Sequence, residues 1–223
     1  MADLPNRDKY EKKLAAIVRR GFKPHRNAQN RRQPRYAEIR KEVQADLEKM
    51  LDWVRLDAAR NLIAKYGKSP APFDWKPPSG RAADLMVDLE ATSRKAWKKI
   101  PRPLTDESVA KWRAKYLGED RIRNIAETEL TMAHQAGEDA ALEVLKAQGV
   151  YLEGIWKCET NCCQFCERVR DKPERIWRKI YPKGPPSPHV GCKCYIEHHD
   201  KMNPPIKLGP SGKKKGKKKH KFF

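Results

Sequence analysis

Between residues 36 and 62 the apolar side chains Tyr36, Ile39, Val43, Leu47, Leu51, Val54, Ala58 and Leu62 follow one another in unbroken steps of three and four. That spacing lines one face of an α-helix and fits no strand, whose side chains alternate. It predicts a single helix over 35–66, stopped by Gly67, roughly 45–50 Å long at a rise of about 1.5 Å per residue. A helix of that length with one apolar stripe must lay the stripe against other helices.

The rest of the chain supplies such partners. Residues 6–22 carry Tyr10, Leu14, Ile17 and Val18 at helical spacing, and Gly21 reads as their stop. The basic stretch FKPHRNAQNRRQP then reads as a linker. Residues 81–99 repeat the pattern through Leu85, Met86, Leu89, Ala96 and Trp97. PRP at 101–103 breaks that helix, and Thr105 is placed to cap the next, which holds Val109, Trp112 and Tyr116. A last helix over 119–148 carries Ile122, Ile125, Ala126, Leu130, Ala133, Ala140 and Val144, with Gly149 as its stop.

After Gly149 the pattern changes. VYLEGIWK and CYIEHH are rich in β-formers and read as strands. Between them lie a tight cysteine turn and the proline-rich loop YPKGPPSPH. The expected fold class is therefore mainly α with a small α+β C-terminal module: extended helices, then a hairpin-like region, then a tail. The expected divisions are an N-terminal helical region (1–68), a proline-rich linker (69–80), a domain over 81–200 whose last part (about 150–200) is the small module, and a disordered lysine-rich tail (201–223).

The charged fraction is 35%, against roughly a quarter in ordinary globular chains. Apolar residues make up 39%, which suits helices with wide polar faces better than one thick core. The net charge is +20, and nine lysines with no acid fall in residues 201–223. This balance favours polyanionic partners, either nucleic acid or an acidic protein surface. The start, MADLPNRDKYEKK, has charges where a secretory signal needs an apolar run, and no segment approaches the roughly 18 apolar residues of a membrane span. A reducing, cytosolic environment is therefore expected, where clustered Cys and His point to metal sooner than to disulfide.

CCQFC and HVGCKC carry that cluster. Cys163 and Cys166 have the spacing of a zinc knuckle, and His189 and Cys192 form a matching second half, with Cys194 as the alternative fourth ligand. Cys, Cys, His and Cys make a closed tetrahedral set, the usual form of a structural Zn2+ site. Thiols without metal, or disulfides, are the alternatives. Cys158 and Cys162 read as bystanders. This corner looks too poor in large apolar residues to order itself, and a structural zinc contributes about 10–16 kcal/mol of apparent binding energy to such a module. Catalysis is not expected. Neither the H-x-E that precedes PC-x-x-C in zinc deaminases nor H-E-x-x-H is present, and a catalytic zinc keeps an open position.

In order, these features are a helix with IAETELTMAHQAGEDAALE, a glycine helix end (AQG), a tryptophan strand (GIWKCE), C-x-x-C, a proline-rich loop and H-x-x-C-x-C. In that order the segment 121–200 resembles the phage head morphogenesis family, the Mu F-like minor head proteins of tailed bacteriophages. Thr128 and Glu129 fall on the family's Thr-Glu, Trp156 on its strand tryptophan, and His189, Cys192 and Cys194 on its terminal H-P-N-C-R-C. Here the last motif reads HVGCKC, with Lys193 where the family carries Arg. The resemblance implies a non-enzymatic protein that assembles with the portal and other head proteins, made in the host cytoplasm and carried in the virion, inside the head or at its portal vertex. It also implies, for some members, contact with DNA.

Read from the residues alone, Thr128 and Glu129 serve a hydrogen bond or ion pair between helices. Lys213, Lys214, Lys215, Lys217, Lys218, Lys219 and Lys221 form a polycation suited to phage DNA through its phosphates, or to an acidic partner. Trp53, Trp97, Trp112, Trp156 and Trp177 read as core, and Trp75, within the linker, as a partner anchor. Two further readings compete: a zinc-ribbon-like nucleic-acid-binding module, and a metal-dependent enzyme acting on nucleic acid.

Overall fold

A computed structural model describes residues 6–26, 36–67, 80–158, 163–185 and 194–202. It is mainly helical with one small two-stranded antiparallel sheet. The order is α1 (Arg7–Arg26), α2 (Tyr36–Tyr66), α3 (Arg81–Trp97), α4 (Asp106–Leu117), α5 (Glu119–Ala147), β1 (Leu152–Lys157), α6 (Gln164–Glu167), α7 (Glu174–Ile180) and β2 (Tyr195–Asp200).

The long stripe behaves as its spacing requires. Ile39, Val43, Leu47, Leu51 and Val54 are fully buried on α2, each side chain contributing about 1.5–3 kcal/mol by leaving water. They meet Leu14, Val18 and Phe22 of α1, Leu85, Met86 and Leu89 of α3, and Ile122, Ile125, Leu130 and Ala133 of α5 in one cluster. That cluster joins residues on both sides of the proline-rich linker. Trp97 and Trp112 close its far end edge to face, 4.9 Å apart.

Two expectations for the first helices need correction. Gly21 does not end α1, which runs on to Arg26 and takes in the first residues assigned to the linker. Gly21 lies where α1 touches α2, and a methyl there would come within 2.6 Å of Val43 Cγ1. Phe22 is buried. Trp53 is the second correction: it is 51% exposed, beside the stripe instead of on it, with the ammonium groups of Lys13 and Lys49 5.5 and 5.8 Å from its ring centre. Trp75, the linker and the tail lie outside the described residues.

Helix ends are fixed by named groups. Thr105 caps α4 in a reciprocal box with Ser108: its hydroxyl accepts from the Ser108 N–H, and its own N–H donates to the Ser108 hydroxyl. The N-terminus of α3 is capped from another helix. The Glu48 carboxylate accepts from the Gly80 N–H at 3.1 Å and the Ala82 N–H at 2.8 Å, so its charge meets the positive end of the helix dipole. α5 ends in a Schellman turn. Gly149 takes a left-handed φ of 73°, and the Val150 N–H donates to the Leu145 carbonyl at 2.9 Å. This turn reverses the chain into β1.

α5 lies along α2 so closely that a methyl on Gly137 would stand 2.1 Å from the Arg55 carbonyl oxygen. Helix propensity alone says that Gly137→Ala stabilises, by about 1 kcal/mol. Contact with a backbone atom that cannot rotate away reverses the sign. We expect a loss of about 2–3 kcal/mol, the upper part of the overpacking range, read as a lower urea midpoint at unchanged slope.

Candidate functional site

β1 and β2 pair antiparallel from Leu152↔Asp200 to Lys157↔Tyr195. The next pair in that register is Cys158 with Cys194. Their sulfurs lie 3.5 Å apart, the Cys194 thiol directed at the Cys158 sulfur. Cys158 also approaches the Cys166 carbonyl at 3.6 Å. The thiols of Cys158, Cys163, Cys166 and Cys194 are not joined by disulfides.

The pair stands on a small apolar core. Trp156, Cys166, Val169, Trp177, Cys194 and Ile196 are buried together, with Cys158, Cys163 and Tyr181 packed against them. The Trp156 ring lies 5.6 Å from both the Trp177 and the Tyr181 rings. The Trp177 indole N–H donates to the Gly154 carbonyl at 3.0 Å. On its other edge β1 is held by the loop before α7: the Trp156 N–H donates to the Lys172 carbonyl, and the Asp171 N–H to the Trp156 carbonyl. The corner expected to lack apolar residues thus has a core of its own. Two tryptophans from separate elements build it; α6 forms in the stretch read as a tight cysteine turn, and α7 ends just before the proline-rich loop begins at Tyr181.

Beside the thiols, Lys157 bridges two carboxylates, Asp171 at 2.8 Å and Glu197 at 3.3 Å. The hydrogen bond to Asp171 is the main cause that holds the Lys157 ammonium above its ordinary pKa. Burial works against the Glu197 carboxylate, but the hydrogen bonds from His199 and Lys157 outweigh it and lower its pKa.

A second polar group joins the sheet to the helices. Glu138 on α5 and His198 on β2 are both buried, with His198 Nε2 3.4 Å and His134 Nδ1 3.6 Å from the same Glu138 oxygen. The Tyr66 hydroxyl donates to the His198 carbonyl. Burial raises the pKa of the neighbouring Asp139, against the hydrogen bond from Gln135 and the nearby charge of Arg178.

Of the spacing-derived metal ligands, Cys163 and Cys166 are in the described residues, and so is the alternative, Cys194. His189 and Cys192 lie outside them, as do all the tail lysines. Among the described residues, no three His, Cys, Asp or Glu side chains stand close enough together, as placed, to hold one ion. Cys158, read as a bystander to the metal set, lies against Cys194. The signal was present, since Cys158 follows one predicted strand and Cys194 precedes the other, and antiparallel pairing brings them opposite. Cys162 lies outside the described residues.

Glu129 is buried on α5, and Arg81 grips its carboxylate with two hydrogen bonds, Nε–Oε2 at 2.8 Å and Nη2–Oε1 at 2.5 Å. Thr128 turns its hydroxyl back to the Asn124 carbonyl at 2.7 Å. Glu129 makes the ion pair between helices expected of it, whereas this Thr128 hydrogen bond stays within α5. Trp156 is core, as read. No described helix is long and apolar enough to cross a membrane.

Comparison with family models, curated proteins and solved structures returns no match. The geometry of the chain itself is therefore what bears on function.

Proposed function

We propose that the chain is a minor head morphogenesis protein of a tailed phage, associating with the portal and internal head components during assembly, genome packaging or delivery. On this reading it acts in the virion, inside the head or at the portal vertex, after synthesis in the host cytoplasm. Its C-terminal module is stapled by a structural Zn2+, and it catalyses nothing. The observation that carries the reading is the meeting of thiols from two distant segments, Cys158 and Cys194, at the open end of the sheet that follows the Thr-Glu helix. Soft thiolates suit Zn2+, and an ion there would fasten the two strands and the Cys163–Cys166 turn into one rigid corner. Its contribution would be folding energy.

The structural role of Glu129 supports the same reading over a nuclease-like one. Its carboxylate is turned to Arg81 within the helical body, with almost no exposure to solvent. The basic tail is assigned to phage DNA, through phosphates and without base readout.

Co-expression with the portal protein of the same genome tests the proposal. We expect the two chains to co-elute, and the complex to survive removal of residues 201–223. DNA binding should vanish with those residues. Absence of any portal complex, with salt-sensitive DNA binding that persists in the truncated chain, would replace the proposal with the zinc-ribbon-like nucleic-acid-binding module.

A further inference from the structure

We infer that Cys158 and Cys194 are a disulfide-forming pair, a covalent modification site that locks the open end of the two-stranded sheet when the chain meets an oxidising small-molecule disulfide. The chemistry rests on the geometry of the pair, and only its timing rests on the virion reading above. The two sulfurs are not bonded. They lie 3.5 Å apart, with the Cys194 thiol directed at the Cys158 sulfur. A disulfide bond needs roughly 2.05 Å, so a closure of about 1.5 Å, within reach of side-chain rotation, separates the two states.

The strands put the pair where such a bond fits. The Lys201 N–H donates to the Tyr151 carbonyl at 3.0 Å, one step outside the pair Leu152↔Asp200. Hydrogen-bonded and non-hydrogen-bonded pairs alternate along an antiparallel ladder. Counted from that bond, Trp156↔Ile196 is a non-hydrogen-bonded pair, and the Trp156 N–H and carbonyl bond away from β2, to Lys172 and Asp171. Cys158 and Cys194 take the next position of the same kind. Side chains stand closest there, on Cα atoms about 4.5 Å apart, inside the roughly 4.4–6.8 Å that a disulfide spans.

The two thiols differ in access. Cys158 is half-buried, whereas Cys194 is 4% exposed and packed with Trp156, Trp177 and Ile196. Cys158 therefore meets the oxidant first. Its thiolate attacks one sulfur of a disulfide such as oxidised glutathione, whose S–S bond breaks as one glutathione thiolate leaves. The Cys194 thiolate then attacks the Cys158 sulfur of the mixed disulfide. The Cys158–Cys194 bond forms and the second glutathione leaves. The two cysteine thiols give up two electrons and two protons, and the glutathione disulfide takes them up to become two thiols. The new bond closes the chain around α6 and α7, which constrains the unfolded state and stabilises the module. In a reducing cytoplasm the pair stays open, and it closes once the head has left the cell.

The test uses the full chain, purified reduced, treated with a chelator so that no metal ion holds the thiols, and equilibrated across a series of reduced-to-oxidised glutathione ratios. Acid quenching, denaturation and alkylation, followed by peptide mapping, read each cysteine. As the ratio falls, Cys158 and Cys194 should lose alkylation together, and their peptides should be recovered as one cross-linked species. The amides of Lys157 and Tyr195, the last pair of the ladder, should exchange more slowly in the oxidised chain. Cys194→Ser should accumulate the glutathione adduct at Cys158, and Cys158→Ser should leave Cys194 alkylated throughout. The map of the unaltered chain decides the question even where a variant does not fold. Cys158 and Cys194 alkylated across the whole series, or either one recovered bonded to a different cysteine, would overturn the inference. Both results leave untouched the portal complex, by which the proposed function is tested.

Discussion

Arg81→Met should destabilise the protein by about 3–5 kcal/mol, the range found when one partner of a buried ion pair is removed. The size follows from the asymmetry of the pair. The Glu129 side chain is 3% exposed and Arg81 is 28% exposed. Without the guanidinium, Glu129 keeps a charge in the body of the protein with no other cation among the described residues paired to it. Without the carboxylate, Arg81 can still reach water and the nearby charges of Asp84 and Asp88. Glu129→Met should therefore cost less than Arg81→Met. The double replacement should recover much of the loss, since hydrophobic side chains of similar volume often match a buried ion pair in stability. Urea unfolding of the four proteins closes the cycle. Equal losses from the two single variants, with simple additivity in the double, would show that the pair contributes nothing specific. The interaction also ties the start of α3 to the middle of α5. Together with the Glu48 cap, it docks α3 on α2 and α5 by charge at the end where α3 begins.

Much of the helical body is readable from spacing because each helix carries its own stripe. The stripe from Tyr36 to Leu62 forecast α2 within a residue at its start, and Thr105 and Gly149 mark real helix ends. Spacing does not distinguish a glycine that ends a helix from one that lets two helices touch. Gly21 and Gly149 look alike in sequence, yet Gly21 sits inside α1 against Val43 while Gly149 turns the chain. Nor does spacing resolve a position beside a stripe from one on it, which is why Trp53 was read as core.

The C-terminal module was half legible. Its strands stood out by β-propensity, but α6 and α7 are too short to show a period. Its core consists of side chains from four separate elements and two loop positions, so no local window reveals it. The thiol pair lies between these cases. Knuckle spacing is a local rule and selected Cys163 and Cys166. The Cys158–Cys194 contact is a consequence of register, and becomes visible only once β1 is paired with β2. The buried group of His134, Glu138 and His198 had no sequence signal, because it joins α5 to a strand about sixty residues further along the chain.

Trp156→Ala should cost about 3–5 kcal/mol, the range for truncating a buried aromatic residue, and the loss should be local. Trp156 is fully buried, and its ring is the common neighbour of Trp177 and Tyr181. Its backbone is hydrogen-bonded to the loop on one side of β1, while the same strand pairs with β2 on the other. Removing the ring takes the centre from the apolar cluster beneath the thiols. The cluster of α1–α5 shares no buried residue with it. Hydrogen exchange should therefore quicken at the amides of β1 and β2 while those in the middle of α2 and α5 keep their protection. Cys158 and Cys194 should react faster with a thiol reagent in the same variant. Trp156→Phe separates packing from polarity. The Trp156 indole N–H is buried without a hydrogen-bond partner, so phenylalanine gives up ring volume but also removes a group that costs about 1–3 kcal/mol to bury unpaired. Its net effect should stay within about 1.5 kcal/mol. If the alanine variant instead loosened α2 and α5 as much as the sheet, the module would have no core of its own. The thiol pair would then be held by the whole body, and no longer by the two strands that end in it.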